Sequence, residues 1–195
     1  MRVVAGRFRG RHLEAPPGYT TRPITDRVKE NLFNILGHRL GTPGELPPLR
    51  VLDLFSGPGS MGIEALSRGA RTCTFVERDR LALQALRRNI VQLGIEAGTR
   101  VLAQNAWTLN LTQGNETEPF GLMFIDPPFR DADDPQRVAG LLERLAPALA
   151  GDGVIMVRHE SKSQPPAPEA LHGVRYVDER VYGRMRLLLL QRTDQ

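Results

Sequence analysis

Two groups of residues have the types and spacing that chemistry requires. The first is Asp126-Pro127-Pro128-Phe129, which breaks the continuous apolar run Leu122-Met123-Phe124-Ile125. Such a run reads as a buried central strand. It ends on a carboxylate followed by two residues that fix φ and have no N–H to donate, leaving their carbonyls as acceptors. An exocyclic amine of a nucleobase supplies the matching donors. Its lone pair is delocalised into the ring; accepting its N–H bonds, through the Asp126 carboxylate and the Pro127 carbonyl, would turn that lone pair toward an electrophilic carbon. Phe129 would stack on a base drawn out of its own stack. The same four residues also fit a capping Asp, a Pro-rich turn and a core Phe.

The second group is Asp53 with the loop Ser56-Gly57-Pro58-Gly59-Ser60 that follows strand-like Val51 to Phe55. Gly57, Gly59 and Gly62 satisfy G-x-G-x-x-G, so a nicotinamide-dependent enzyme is one reading. Asp53 argues against it, because a carboxylate at that strand end opposes a diphosphate. S-adenosylmethionine presents an ammonium, a sulfonium and no phosphate, and suits the acid better. A turn glycine pair with a capping Asp is the structural alternative. Thr74-Phe75-Val76 ends in Glu77, whose two oxygens could accept both ribose hydroxyls of either cofactor. Asp79 is expected to N-cap the next helix. Asn105 carries the paired donor and acceptor that would read an adenine edge, or is a turn Asn; Trp107 walls the adenine or packs in the core.

His12, His38, His159 and His172 show no metal-ligand spacing, and the single cysteine, Cys73, excludes an internal disulfide or multi-cysteine metal site. No metal is expected. The N-terminus meets Arg7 before an apolar run of signal-peptide length develops, and the longest purely aliphatic run is Leu187 to Leu190, so no membrane segment is expected.

The elements that must position these residues alternate in type. Strand-like and helix-like segments follow one another as Arg50 to Phe55, Ser60 to Ser67, Thr72 to Glu77, Asp79 to Leu93, Arg100 to Ala103 and Leu122 to Asp126. Leu83, Leu86, Ile90 and Leu93 form a helical stripe. This alternation predicts an α/β domain with a mainly parallel sheet covered on both faces. A helix from about Pro135 to Leu149, a buried strand Val154 to Val157, and a hairpin of Val174 to Val181 with Arg184 to Leu190 complete it. Ahead of them, Val3-Val4 and His12-Leu13 flank an Arg/Gly stretch that reads as a small hairpin. A helix opened by Thr25 follows, with Val28, Leu32, Ile35 and Leu36 on one face. Two parts are expected: an extension over residues 1–40 and a catalytic domain over 50–195.

The chain of 195 residues carries a formal charge of +4, concentrated at one end: residues 1–30 hold seven basic and three acidic side chains, and the remainder is neutral. A neutral body with a positive leading segment fits a phosphate-contacting arm, and equally a solvated basic surface.

Together these residues resemble the RsmD family, bacterial small-subunit ribosomal RNA guanine-N2 methyltransferases. The likeness runs from Arg2-Val3-Val4-Ala5-Gly6 and Arg9-Gly10-Arg11 through Arg22-Pro23-Ile24-Thr25-Asp26-Arg27-Val28-Lys29-Glu30 and Leu32-Phe33-Asn34. It continues in Leu52-Asp53-Leu54-Phe55-Ser56-Gly57, Gly62-Ile63-Glu64-Ala65-Leu66-Ser67-Arg68-Gly69-Ala70 and Asp126-Pro127-Pro128-Phe129. The resemblance implies a Rossmann-like class I methyltransferase with a seven-stranded, mostly parallel sheet ending in an antiparallel hairpin, behind a small N-terminal hairpin and helix. It implies S-adenosylmethionine as cofactor, held by Asp53, Phe55, Gly57, Gly59, Glu77, Asn105 and Ala106, and a target base held by Asp126, Pro127, Pro128 and Phe129. Arg7, Arg9, Arg11, Arg22 and Arg27 are the candidates for phosphate contacts. The substrate it implies is a guanine of 16S ribosomal RNA in an assembled or partly assembled small subunit, met by a cytoplasmic monomer. An N6-adenine DNA methyltransferase shares the pocket logic, but such enzymes usually add a target-recognition domain for which 195 residues leave little room. A non-catalytic ribosome-binding protein with a decayed cofactor fold is a further alternative.

Overall fold

The structure, a computed structural model, describes residues 1–16, 18, 24–111, 118–128 and 133–193. The chain forms two compact units, Met1–Ala106 and Trp107–Gln195.

In the first unit, helix α1 (Asp26–Arg39) starts where the Thr25 side chain accepts the Val28 N–H. Asp26 in its first turn and His38 and Arg39 in its last complement the helix dipole. Strands β1 (Arg50–Leu54), β2 (Thr72–Glu77) and β3 (Thr99–Ala103) alternate with helices α2 (Ser60–Ser67) and α3 (Arg80–Leu93). They pair in parallel in the order β3-β2-β1. As expected, Asp79 N-caps α3 through the Ala82 N–H; Gly94, in the left-handed region, terminates it. The stripe Leu83, Leu86, Ile90 and Leu93 is buried.

The leading residues fold back as the expected hairpin. Val3 N donates to Arg11 O and Leu13 N to Met1 O, with a short 3-10 turn at Gly6–Phe8. The hairpin is held on α2 by a buried carboxylate, Glu64, which accepts the N–H groups of Val4 and Ala5 at 2.8 and 3.0 Å. Glu64 is also ion-paired to Arg68 at 2.9 Å and to Lys29 of α1 at 3.7 Å. Gly6 is required there: its φ is +76°, and a Cβ would stand 1.9 Å from the Ser67 carbonyl oxygen.

The second unit holds β4 (Phe120–Ile125), α4 (Pro135–Leu145), β5 (Leu149–Glu160), β6 (Val174–Tyr182) and β7 (Met185–Arg192). Asp134 caps α4 by accepting from Gln136 and Arg137, with Pro135 in the first turn. Strands β4 and β5 are parallel; β7 runs antiparallel to both β5 and β6. The strands of the two units make up a seven-stranded sheet.

Three of the expected elements change their bounds. The helix ends at Leu145 rather than Leu149, because Ala146-Pro147-Ala148 tighten into a 3-10 turn, and β5 runs over twelve residues instead of the four of its apolar core. Strand β1 stops at Leu54, since Phe55 turns to a φ of +57°.

Candidate active site

Strand β1 delivers Asp53 and then Phe55, a non-glycine residue with positive φ, into the glycine-rich turn. Asp53 is buried, and its Oδ2 accepts the Gly62 N–H at 2.8 Å, tying the strand end to the first turn of α2. Gly59 is the N-cap of α2, with φ +90°. Gly62 lies against β2, where a Cβ would meet the Phe75 ring at 2.4 Å and Cys73 Sγ at 2.5 Å. Its place in the motif is therefore helix–sheet packing. Cys73 is buried, and burial pushes its thiol well up, which makes it a poor nucleophile.

Glu77, at the end of β2, turns back on the same loop. Its Oε2 accepts the Gly57 N–H at 2.8 Å, while Oε1 accepts the N–H groups of Arg78 and Asp79, each at 2.8 Å. Three of roughly four acceptor positions on the carboxylate are thus used by backbone. Asn105 is half-buried at the end of the loop after β3, and Ala106 is buried. Trp107 packs as a core residue of the second unit, its ring under the Arg137 guanidinium at 4.3 Å.

The loop's donors bear on which cofactor it can hold. The N–H of Ser56 goes to Val76 O, that of Gly57 to Glu77, that of Gly59 to Ser56 O and that of Gly62 to Asp53. A diphosphate needs such N–H groups turned outward; these four are spent internally. The side chains at the two strand ends are acidic, a donor set that fits a cationic group such as the ammonium and sulfonium of S-adenosylmethionine. The Ser56 hydroxyl is buried without a hydrogen-bond partner among the described residues.

The second unit carries the residues expected to hold the base. Strand β4 is buried along its whole length and is followed directly by Asp126, whose side chain is 23% exposed. Pro127 is buried and Pro128 exposed; Phe129 lies outside the described residues. Burial pushes the Asp126 carboxyl up, and Arg158 of β5 pulls it back down. The Arg158 Nε stands 2.9 Å from Asp126 Oδ1, with the guanidinium side chain 4% exposed. The sequence reading missed Arg158, and only the register betrays it: Ile125 pairs with Val157, so Asp126 and Arg158 are the next residues on adjacent parallel strands.

Of the candidate phosphate contacts, Arg7, Arg9, Arg11 and Arg27 are exposed, and Arg22 lies outside the described residues. Arg11 reaches the Gln92 carbonyl at 3.3 Å. Among the described residues no cluster of three or more His, Cys, Asp or Glu could hold a metal, and no helix is long and apolar enough to cross a membrane.

A mostly parallel sheet finished by an antiparallel pair, with a glycine-rich turn after its first strand, is the architecture of the Rossmann-like class I methyltransferases. The solved structure of yhhF from Escherichia coli, provisionally named a methyltransferase, superposes with a TM-score of 0.79. It is 33% identical and is matched over 100% of this chain and 99% of that one. Residues 1–191 match the family described as Conserved hypothetical protein 95. The chain belongs to that family, which is the RsmD family of the resemblance above. Among its relatives, the ribosomal RNA small subunit methyltransferase D of Escherichia coli K12 is 35% identical over 100% of this chain and 91% of its own length. YlbH of Bacillus subtilis, provisionally named an rRNA methyltransferase, is 36% identical over 85% of this chain and 86% of its own.

Proposed function

We propose that this chain transfers a methyl group from S-adenosylmethionine to the exocyclic N2 amine of a guanine in 16S ribosomal RNA, within an assembled or partly assembled small subunit. The observation that carries the reading is Asp126, a partly exposed carboxylate at the end of an otherwise buried strand, followed by two prolines. Such an end offers acceptors and few donors, which is what an amine needs. The relative named small subunit methyltransferase D supports the choice of RNA.

S-adenosylmethionine, when bound, supplies a methyl carbon already activated by its sulfonium. What the chain contributes is position. Asp126 and the Pro127 carbonyl accept the amine N–H bonds, Pro128 stiffens the turn, and Phe129 stacks on the flipped base. Asp53, Phe55, Gly57, Gly59, Glu77, Asn105 and Ala106 hold the cofactor, with Glu77 offering its remaining acceptor position to the ribose. Residues 1–40 serve as the RNA-contacting extension, with Arg7, Arg9, Arg11, Arg22 and Arg27 on phosphates, and residues 50–195 as the methyltransferase domain. The enzyme acts as a cytoplasmic monomer.

Tritium transfer from labelled S-adenosylmethionine is measured on small subunits, naked 16S RNA and DNA. Label in N2-methylguanosine of the RNA is expected, with mass spectrometry showing that one mark missing from a deletion strain. Asp126→Ala abolishes it while cofactor binding survives. Label in DNA alone favours an N6-adenine methyltransferase and refutes the proposal.

A further inference from the structure

The sequence gives no reason to connect residue 158 with residue 126, yet the fold makes them neighbours. Strands β4 and β5 are parallel and pair Ile125 with Val157, so the next residue of each stands beside its counterpart. There Arg158 Nε and Asp126 Oδ1 are 2.9 Å apart. Among the described residues Nε has no directed hydrogen bond, so its contact with Oδ1 is an ion pair that acts through charge. The arginine is almost completely buried, whereas the aspartate is partly open. A buried cation beside a carboxylate is a costly arrangement for stability alone, since both ions lose hydration before any attraction is counted.

We infer that Arg158 is a positioning residue for methyl transfer: its guanidinium engages Oδ1 of Asp126 and leaves Oδ2 directed at the amine. The inference rests on the role proposed for Asp126 and adds to it the group that aims the carboxylate. An ionised carboxylate only accepts hydrogen bonds, whereas a protonated one can present an O–H to the amine instead. Burial drives Asp126 toward the protonated form and Arg158 opposes it. Arg158, from β5, is the charged group acting on Asp126 among the described residues; β4 itself carries none. The next residue, His159, feels Arg186 of β7 and Asp133 instead.

The test compares Arg158→Met, Arg158→Lys and Asp126→Asn with the unaltered protein in steady-state methylation of small subunits, from about pH 5.5 to about pH 9, which brackets the range above the ordinary carboxylate value. Removing the guanidinium should lower kcat on the order of 10²-fold, as a misaimed group does, while KM for S-adenosylmethionine and for the subunit stays nearly constant. It should also move the acidic limb of the kcat profile to higher pH, because the carboxylate then keeps its proton longer. Arg158→Lys should restore the limb, since the charge is back, and only part of kcat, since a compact ammonium on a flexible stem does not hold the carboxylate in the same place. On an Asp126→Asn background, Arg158→Met should add little further loss.

If Arg158→Met retains the wild-type kcat and limb and only melts earlier, Arg158 is structural and the inference falls. Should that variant not fold by circular dichroism, Arg158→Lys decides: a kcat equal to wild type overturns the positioning role, and a reduced kcat with an unshifted limb sustains it. An unaltered protein that methylates no small subunit, or an Asp126→Asn variant as active as wild type, refutes the function proposed for the site and this inference with it. A dead Asp126→Asn beside an unaffected Arg158→Met refutes the inference alone.

Discussion

Lys29 Nζ lies 3.7 Å from Glu64 Oε2, and the two side chains are 2% and 0% exposed. Around this pair the N-terminal hairpin, α1 and α2 are joined: Glu64 also accepts from Val4, Ala5 and Arg68, and Lys29 donates to the Arg2 carbonyl and to Ser60 Oγ at 3.1 and 2.9 Å. Removing the carboxylate charge strands two buried cations. Glu64→Gln should therefore cost about 3–5 kcal/mol in urea unfolding. Lys29→Met should cost less, because Glu64 keeps Arg68 and two backbone N–H groups. Burial lowers the Lys29 pKa from its usual 10.5, with Glu64 opposing. In the window between the lowered value and 10.5 the unfolded chain holds the proton and the folded one releases it, so stability gains as pH rises through that window. Lys29→Met should abolish this alkaline gain; a variant that keeps it places the titration elsewhere.

Glu77 holds the glycine-rich loop by its carboxylate, and Gln cannot replace it. An amide offers an acceptor to one side only, and sets an NH2 group against either Gly57 or the Arg78 and Asp79 N–H groups. Those of Arg78 and Asp79 are exposed and can turn to water, while the bond to Gly57 is partly buried. The loss should fall on the loop. Glu77→Gln should raise the Kd for S-adenosylmethionine about tenfold or more, the equivalent of one charge-assisted hydrogen bond. Titration calorimetry giving an unchanged Kd would show that the loop does not depend on Glu77.

Tyr176 of β6 donates its hydroxyl to the Pro166 carbonyl at 2.8 Å. Burial, with Glu179 adding to it, pushes its pKa up to about 12. The unfolded phenol ionises near 10, so the folded state keeps its proton over the interval between. Stability from this group is complete below about pH 10 and is lost as pH rises from there toward 12. Tyr176→Phe should lose about 1 kcal/mol at neutral pH and flatten that alkaline decline. Ultraviolet titration checks the pKa directly, since Tyr176 should ionise only near the upper end of the scan.

Much of the fold could be read from residue order alone because its signals are local. The stripe Leu83 to Leu93, the Asp79 cap and the apolar run into Asp126 each lie within one element, and the structure reproduces them. Where tertiary pairing decides, local signals stop. Leu149 to Gly153 has no apolar alternation, yet it extends β5. Arg158 could be connected to Asp126 only through the β4–β5 register. Glu64, Lys29 and Asn89 are polar residues on helices, a pattern that reads as solvent-facing, but all three are buried because their partners are backbone groups or charges from distant segments. Glu77 was expected to face a ribose, and its oxygens are mostly occupied by main-chain N–H groups that no side-chain pattern reveals.

Asn89 shows what such a residue does for the site. Its Oδ1 accepts the Glu14 N–H at 2.8 Å, and its Nδ2 donates both to the Glu14 carbonyl at 3.0 Å and to the Pro58 carbonyl at 2.9 Å. One buried amide thus fastens the end of the N-terminal hairpin segment and the glycine-rich loop to the same point on α3. Asn89→Asp is nearly isosteric, but it removes both donors and sets carboxylate oxygen against two carbonyls. The bond from Glu14 N–H survives; those to Glu14 O and Pro58 O become repulsive contacts. Two changes should appear together: weaker S-adenosylmethionine binding, from a loosened Pro58, and faster tryptic cleavage at Arg11, from a hairpin less firmly seated. Asn89→Ala should do the same with less repulsion and more empty volume. If binding weakens while the Arg11 cleavage rate stays at the wild-type value, or the reverse, the hairpin and the loop are not coupled through Asn89.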